Sequence, residues 1–314
     1  MRNLRIVFMG TPDFAVTILK RLIEDKRKIV AVITAPDKPA GRGRKINQSA
    51  VKKYALKHNL SILQPTNLKN EDFIKKLKAI KATLQIVVAF RMLPKIVWKM
   101  PKYGTFNLHA SLLPLYRGAA PIHWAIINGE EVTGVTTFFI DEKIDTGKII
   151  LQKEVKIHKD EIVGELHDRL MNAGAEIVSK TVKNISKSLI ITKKQSEKSL
   201  KIAPKLNIKN CKINWNDSLD NIYNHIRGLN PFPCAWSEMI NNDSIISLKI
   251  YKVRKEKKNH KEVIGNIKTN KKEIKIAVKG GYIYIDVLKI SGKKKLDSKS
   301  LLNGYSFSSK AKML

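Results

Sequence analysis

The 314-residue sequence predicts an α/β fold, in which a domain with a Rossmann-like parallel sheet precedes a small antiparallel β-barrel of the OB-like kind. Three observations support this prediction. The first part of the chain alternates apolar runs with helical periodicity, as parallel sheets with crossover helices do. Residues 84–90 are almost all apolar, which is typical of a strand buried on both faces. After residue 207, short strand-like runs are separated by Gly, Asn and Lys turns.

The chain begins with a predicted strand, helix and second strand. Residues 4–9 form the first strand, a helix starts at about Asp13, and residues 28–34 form the next strand. This order favours Rossmann-like winding. After Gly10, however, the Gly-x-Gly-x-x-Gly pattern is missing, and no Gly-Lys pair follows a Gly at the P-loop spacing. The sequence therefore argues against NAD and ATP as ligands.

The remaining elements follow from periodicity and turn residues. Helices are predicted at 48–59, 70–79, 95–100, 119–127, 162–185 and 218–227. Strands are predicted at 61–65, 84–90, 105–109, 136–140, 148–157, 237–240, 245–253, 263–267, 273–278 and 282–290. The polar stretch 192–206 reads as a linker, so the predicted domains are residues 1–191 and 207–314.

Residues 35–45 are predicted to form an irregular basic loop. The segment contains two prolines and two glycines, which disfavour regular structure. Its cations are Lys38, Arg42, Arg44 and Lys45. Arginine can stack on a base or hold a phosphate with two hydrogen bonds. The segment is either a solvated basic loop or a site for an anionic partner.

A second group of polar residues lies near two strand ends. Asn107 and His109 share one face of a predicted strand, because strand side chains alternate. Asp145 lies in the Gly-containing loop that follows the strand at 136–140. If the two strands are neighbours, these side chains can meet at one rim. Amide, imidazole and carboxylate suit a reaction that passes through an oxyanion. Taken alone, the same residues are also common as ordinary polar and turn residues.

The segment Phe106-Asn107-Leu108-His109-Ala110-Ser111-Leu112-Leu113-Pro114, followed by Tyr116-Arg117-Gly118-Ala119-Ala120-Pro121-Ile122, resembles the signature of the folate-dependent formyltransferases. The spacing Asp141-x-x-x-Asp145-Thr146-Gly147 is similar to that family as well. The resemblance implies a formyltransferase domain in the first part of the chain, with Asn107, His109 and Asp145 as catalytic residues. It also implies 10-formyltetrahydrofolate as co-substrate, bound against Ser111, Leu112, Leu113 and Pro114, without a metal.

Two further segments narrow the resemblance. The pattern Pro-Asp-x-Pro-Ala-Gly-Arg-Gly in the basic loop is similar to a loop by which some members of the family enter the acceptor arm of initiator methionyl-tRNA. It implies tRNA contacts by Arg42 first, then Lys38, Arg44 and Lys45. The loop that starts at Arg91 resembles one that lines the pterin pocket, although relatives commonly have Gly at this position. The C-terminal segment also resembles that of the family, whose second domain binds tRNA.

Composition sets wider bounds on the function. The net charge of +33 attracts polyanions, and nucleic acid is the usual one. Lysine supplies 49 of the 60 basic residues, so AT-biased coding is a competing explanation of this charge. The two cysteines, Cys211 and Cys234, offer neither a metal-ligand spacing nor a disulfide framework. The sequence also lacks an apolar run of membrane-spanning length, so we expect a cytoplasmic protein without a membrane partner, and a monomer by resemblance.

Together these features predict formyl transfer to the α-amino group of initiator methionyl-tRNA, for translation initiation. Two alternatives stay open at this point. One is a formyltransferase that acts on a small amine, such as an amino sugar nucleotide or a purine precursor. The other is an RNA-binding protein that retains the fold without the activity. Whether Asp145 acts directly or through a water is also left open by the sequence.

Overall fold

The structure is a computed structural model that describes residues 2–40, 45–197 and 201–314, without the side chains of residues 40 and 45. Its contacts define two compact units. The first comprises residues up to Gly118, Val132–Lys156 and His167–Ile202. The second comprises Ala119–Glu131, Ile157–Leu166 and Ala203–Leu314. The domain boundaries at residues 191 and 207 stay a prediction.

The described elements follow the predicted order closely. The strands are β1 (Ile6–Gly10), β2 (Ile29–Ile33), β3 (Lys38–Ala40), β4 (Lys45–Asn47), β5 (Ile62–Leu63), β6 (Leu84–Val88), β7 (Thr105–His109), β8 (Arg117–Gly118), β9 (Val132–Phe139), β10 (Ile149–Lys156), β11 (Ile202–Ala203), β12 (Ala235–Asn241), β13 (Ser244–Lys257), β14 (Ile267–Thr269), β15 (Ile274–Val278), β16 (Gly281–Ile290), β17 (Leu296–Asp297) and β18 (Lys312–Met313). The helices are α1 (Asp13–Glu24), α2 (Ala50–Lys57), α3 (Glu71–Ala79), α4 (Lys95–Trp98), α5 (Pro121–Ile127), α6 (Val163–Ser186), α7 (Leu219–Leu229) and α8 (Ser298–Leu302), with a 3₁₀ turn at Lys209–Cys211.

The first unit is built on a sheet with the order β10-β9-β7-β6-β1-β2-β5. The strands from β7 to β5 are parallel, whereas β9 and β10 are antiparallel to their neighbours. All residues of β1 and β6 are buried, as their apolar sequences predict. Helix α1 buries one apolar face, which consists of Phe14, Ala15, Ile18, Leu19 and Leu22. The Rossmann-like prediction is therefore confirmed.

The antiparallel direction of β9 decides how the site is assembled. Phe139, at the end of β9, lies opposite Phe106 near the start of β7, and Thr136 lies opposite His109 at its end. The loop after Phe139 therefore leaves at the amino end of β7. To reach His109 it must fold back by about three residues of strand, or roughly 10 Å. The strands are neighbours, which is the condition on which the predicted shared rim depended, and the rim itself is produced by this returning loop.

The second unit contains an antiparallel sheet with the order β14-β15-β16-β13-β12-β18. Residues 312–313 join its two edges. Met313 pairs with Met239 of β12, and Lys312 forms a bridge to Asn266 beside β14. The sheet is thus nearly closed around an apolar interior, which includes Ile250, Ile276, Ile283 and Leu288. The predicted small barrel is confirmed.

Two predictions of local structure are wrong. Residues 35–45 are not wholly irregular, because β3 and β4 pair as an antiparallel hairpin, with Pro39 opposite Ile46. A strand in a two-stranded hairpin has one unpaired edge, which tolerates the missing N–H of proline. The strand predicted at 263–267 begins only at Ile267, because Gly265 has a φ of +87° that interrupts extended structure.

The parts of the chain that the structure describes contain no helix both long enough and apolar enough to cross a membrane.

Candidate active site

Strand β7 carries the first two residues of the site. Its burial pattern leaves Asn107 half-buried between fully buried neighbours, while His109 is only 6% exposed. The two side chains share one face of the strand, as alternation requires. Among the described residues, none accepts from or donates to the amide of Asn107. This amide is therefore a half-buried donor that is free to serve a bound molecule.

His109 is held at Nε2 and faces Asp145 with Nδ1. Its Nε2 lies 2.8 Å from the carbonyl oxygen of Tyr116. A carbonyl only accepts, so Nε2 carries the hydrogen and donates it. Nδ1 lies 3.8 Å from Oδ2 of Asp145, which is too long for a hydrogen bond. Charge attraction between the two groups requires a protonated imidazole.

Asp145 is fixed from several sides. Its φ of +55° lies in the left-handed region, which an aspartate in a turn can adopt. The backbone N–H of Gly118 donates to Oδ2 at 3.0 Å. The amide nitrogen of Gln195 donates to the carbonyl oxygens of Asp145 at 2.9 Å and Gly147 at 2.8 Å. The sequence did not indicate Gln195 or Gly118 as site residues, since neither belongs to a recognisable catalytic group.

The segment after β7 is held by side chains from neighbouring strands. The hydroxyl of Ser111 donates to the carbonyl oxygen of Leu115 at 2.6 Å. Thr136 of β9 donates to the carbonyl oxygen of Ser111 at 2.6 Å. Gln152 of β10 donates to the carbonyl oxygen of Leu113 at 2.9 Å. The sequence did not indicate Thr136 or Gln152 as residues of the site. Their hydrogen bonds fix the shape of this segment.

The four residues expected to contact folate differ in exposure. Ser111 and Leu113 are buried, and Leu113 packs against Phe138. Leu112 and Pro114 are half-buried. The segment therefore offers a bound molecule a firm, partly apolar edge, while the Ser111 hydroxyl is used within the protein. The folate contacts themselves stay a prediction.

The guanidinium group of Arg91 faces backbone carbonyl oxygens. It donates to the carbonyl oxygen of Thr66 at 2.6 Å and to that of Pro65. Partial burial lowers the pKa of Arg91 from its ordinary value. A cavity of about 300 Å³ lies beside it, lined by residues 66–69 and 91–94. The Arg91 side chain therefore joins the loop that it starts to the loop at residues 65–66.

Among the four cations predicted to contact tRNA, Lys38 is exposed on β3. Arg42 and Arg44 lie outside the described residues, as does the side chain of Lys45. At the base of the hairpin, Asp37 accepts hydrogen bonds from Lys52 at 2.5 Å and from Gln64 at 2.8 Å. The bond from Lys52 is the main reason that the pKa of Asp37 lies below its ordinary value.

The arrangement therefore combines an imidazole, a carboxylate and an amide that no described residue contacts by a hydrogen bond, at one rim of the sheet. An amide and an imidazole can stabilise a developing oxyanion, and a carboxylate beside an imidazole can take up a proton. These are the requirements of transfer of an acyl-type group to an amine.

Comparison with known proteins agrees with this chemistry. The family model described as formyl transferase matches residues 4–182, and the model of the formyl transferase C-terminal domain matches residues 205–306. The chain belongs to the formyl transferase family, and it is therefore a group-transferring enzyme.

Curated relatives place it more narrowly. A methionyl-tRNA formyltransferase of Flavobacterium johnsoniae is 56% identical over the whole length of both chains. One of Bacteroides thetaiotaomicron is 49% identical over 99% of this chain and 98% of its own length. Within the family, the chain belongs with the methionyl-tRNA formyltransferases.

Solved structures share the fold at lower identity. WlaRD, a sugar 3N-formyl transferase, has a TM-score of 0.64 at 23% identity and covers 94% of this chain and 100% of its own. HypX from Aquifex aeolicus, solved in complex with tetrahydrofolic acid, has a TM-score of 0.65 at 16% identity, over 96% of this chain and 47% of its own. At these identities the similarity concerns the fold alone.

Proposed function

We propose that this chain transfers the formyl group of 10-formyltetrahydrofolate to the α-amino group of initiator methionyl-tRNA, for translation initiation. The observation that carries the proposal is the rim formed by Asn107, His109 and Asp145, with an amide that no described residue uses. The full-length similarity to methionyl-tRNA formyltransferases supports tRNA as the acceptor. The net charge of +33 is compatible with a nucleic-acid partner.

The acceptor must attack as a neutral amine. An α-amino group has an ordinary pKa of about 8, so a sufficient fraction is neutral at cellular pH. Attack on the formyl carbon produces a tetrahedral centre whose oxygen carries negative charge. The amide of Asn107 donates to this oxygen, and His109 adds positive charge beside it when Nδ1 is protonated. The tautomer set by Tyr116 leaves Nδ1 as the nitrogen that exchanges a proton.

Asp145 completes the proton pathway. The amine loses a proton as the new bond forms, and Asp145 accepts it either directly or through a water. When the tetrahedral centre collapses, the bond between the formyl carbon and N10 of the donor breaks. N10 takes up the proton that the amine released, and tetrahydrofolate leaves. The carboxylate also stabilises a proton on His109, whose Nδ1 is 3.8 Å away. Gly118 N–H occupies one direction around Oδ2, so the oxygen is oriented before the substrates bind.

The donor substrate suits the residues around this rim. Asn107 supplies an unused hydrogen-bond donor, and Leu112 and Pro114 supply half-buried apolar edges. We propose that residues 111–114 hold the folate and that residues 1–191 form the catalytic domain. We assign residues 207–314 to tRNA binding, together with the basic segment 35–45 and its cations Arg42, Lys38, Arg44 and Lys45. We further propose that the protein acts as a monomer in the cytoplasm, without a membrane partner.

A direct test offers the purified chain 10-formyltetrahydrofolate and three acceptors in parallel. These are initiator methionyl-tRNA, elongator methionyl-tRNA and an amino sugar nucleotide. We expect formylation of the initiator with strong preference over both other acceptors. Transfer to the amino sugar alone would leave the site chemistry intact but refute tRNA as the acceptor. Salt-sensitive tRNA binding without any formylated product would refute the enzymatic function.

A further inference from the structure

We propose that Gln195, in the segment between the two predicted domains, is a positioning residue for Asp145 in the transfer reaction. This inference rests on the proposed function. Gln195 is only 6% exposed although its neighbours in this polar segment are exposed or half-buried. Its amide nitrogen donates one hydrogen to the carbonyl oxygen of Asp145 and the other to that of Gly147. One side chain thus closes the turn that presents the carboxylate.

The orientation of the Gln195 amide is determined by Arg117. Both Nε and Nη2 of Arg117 donate to Oε1 of Gln195, at 3.1 and 2.7 Å. An arginine cannot accept, so Oε1 must face it, and the amide nitrogen must face the two carbonyl oxygens. Every hydrogen-bonding direction of this buried amide is therefore in use, which defines a single arrangement.

The turn needs such support because of its backbone conformation. Asp145 has a φ of +55°, a region that a non-glycine residue keeps only when its surroundings hold it there. Gln195 holds the backbone of this residue, while the N–H of Gly118 holds its carboxylate. Arg117 and Gly118 are adjacent, so both supports connect to one short stretch of chain.

Backbone contacts fix the segment on either side of Gln195. Lys193 exchanges two hydrogen bonds with Ile149, at 2.8 and 2.9 Å. The carbonyl oxygen of Lys201 accepts from the N–H of Tyr116 at 2.6 Å. Tyr116 is the residue whose own carbonyl receives the Nε2–H of His109. The segment therefore contacts the supports of both His109 and Asp145, which explains why a buried glutamine lies in a stretch predicted to be a linker.

The test is a double-mutant cycle on the steady-state kcat and KM of formyl transfer to initiator methionyl-tRNA. We expect Gln195→Ala to lower kcat by about 10- to 100-fold, since a misplacement near 1 Å can cost 10²-fold. The KM values for both substrates should change by less than about threefold. In an Asp145→Ala background, Gln195→Ala should change the residual rate by less than about twofold, because residues that act as a unit are not additive.

Gln195→Glu keeps the shape and the acceptor for Arg117 but removes the amide donors, so we expect a loss similar to that of Gln195→Ala. Gln85→Ala is the matched control, because Gln85 is also buried in the first unit but accepts from Thr105 at the opposite end of β7. It should lower thermal stability while kcat stays at the wild-type value.

Several outcomes would overturn the positioning role. The first is a wild-type kcat in a folded Gln195→Glu protein. The second is an effect of Gln195→Ala on KM alone. The third is that Gln195→Ala lowers the rate by the same factor whether residue 145 is Asp or Ala. The last result would show that Gln195 acts through general stability. The unsubstituted chain separates the two ideas: if it transfers no formyl group, the proposed function fails, whereas transfer that is insensitive to Gln195 refutes only this inference.

Discussion

A methyl group at position 147 should disable the enzyme through the backbone. A Cβ added to Gly147 would lie 1.6 Å from the carbonyl oxygen of Phe139 and 2.8 Å from its carbon. Ordinary contact begins at about 3.4 Å, so the loop and β9 must separate by about 1.8 Å. Neither neighbour is the flexible end of a side chain, so the shift must be taken up by the main chain.

The consequence for activity follows from the position of Gly147, two residues after Asp145. Its carbonyl oxygen also accepts from Gln195, so the same shift disturbs the support of the carboxylate. We expect Gly147→Ala to lower kcat by about 10²-fold or more, as displacements of 1 Å near reacting groups do. Overpacking of this kind should also reduce the free energy of unfolding by about 1–3 kcal/mol.

The assay is formyl transfer at saturating concentrations of both substrates, combined with urea unfolding of the same preparations. Gly304→Ala is the control, because an added Cβ there meets nothing within 4 Å. It should retain both stability and kcat. A folded Gly147→Ala protein with a wild-type kcat would refute the reasoning, since it would show that the site tolerates movement of the loop.

Three other predictions concern separate parts of the chain. Asn107→Ala should lower kcat on the order of 10²–10³-fold, as loss of one oxyanion donor does, with little change in urea midpoint; kinetics and unfolding together check this. The hydrogen bond from Lys52 is the main reason that the pKa of Asp37 is lowered from its ordinary value of 3.8. The ionised carboxylate therefore stabilises the fold at pH values above 3.8, and this stabilisation is lost as the pH falls through the lowered pKa of the folded state. Asp37→Asn should therefore reduce the urea midpoint at pH 7, by an amount that shrinks below pH 3.8. Burial raises the pKa of Cys234 to about 11, so its thiol should not react with a disulfide reagent at pH 8 until guanidinium unfolds the protein.

Strand periodicity was sufficient to predict one face of the site. Asn107 and His109 are two residues apart in an apolar strand, so alternation alone places them side by side. The pairing of β7 with β9 was only a condition of the prediction, and the structure supplies it. The antiparallel direction of β9 and the return of its loop did not follow from the strand patterns, because the path of a loop depends on contacts that leave no periodic signal.

The supports of Asp145 could not be predicted for a different reason. Gln195 is fifty residues from Asp145 in sequence and lies in a polar stretch without periodicity. Its contacts with the loop of Asp145 are made to backbone carbonyl oxygens, which every residue possesses, so no side-chain pairing in the sequence marks Asp145 as its partner. The hairpin of β3 and β4 was missed because proline and glycine content was given more weight than the freedom of an unpaired strand edge.

The position of β18 in the barrel also affects how the protein folds during synthesis. Met313 pairs with Met239 of β12. On the opposite edge, the N–H of Met313 donates to the carbonyl oxygen of Gly265 at 2.9 Å. Because translation proceeds from the amino end, the sheet of the second unit cannot close until residue 313 has left the ribosome. Until then, the edge of β12 is open to pairing with another nascent chain. A chain that terminates before residue 311 therefore leaves two strand edges without their partner, which is the arrangement that favours edge-to-edge aggregation.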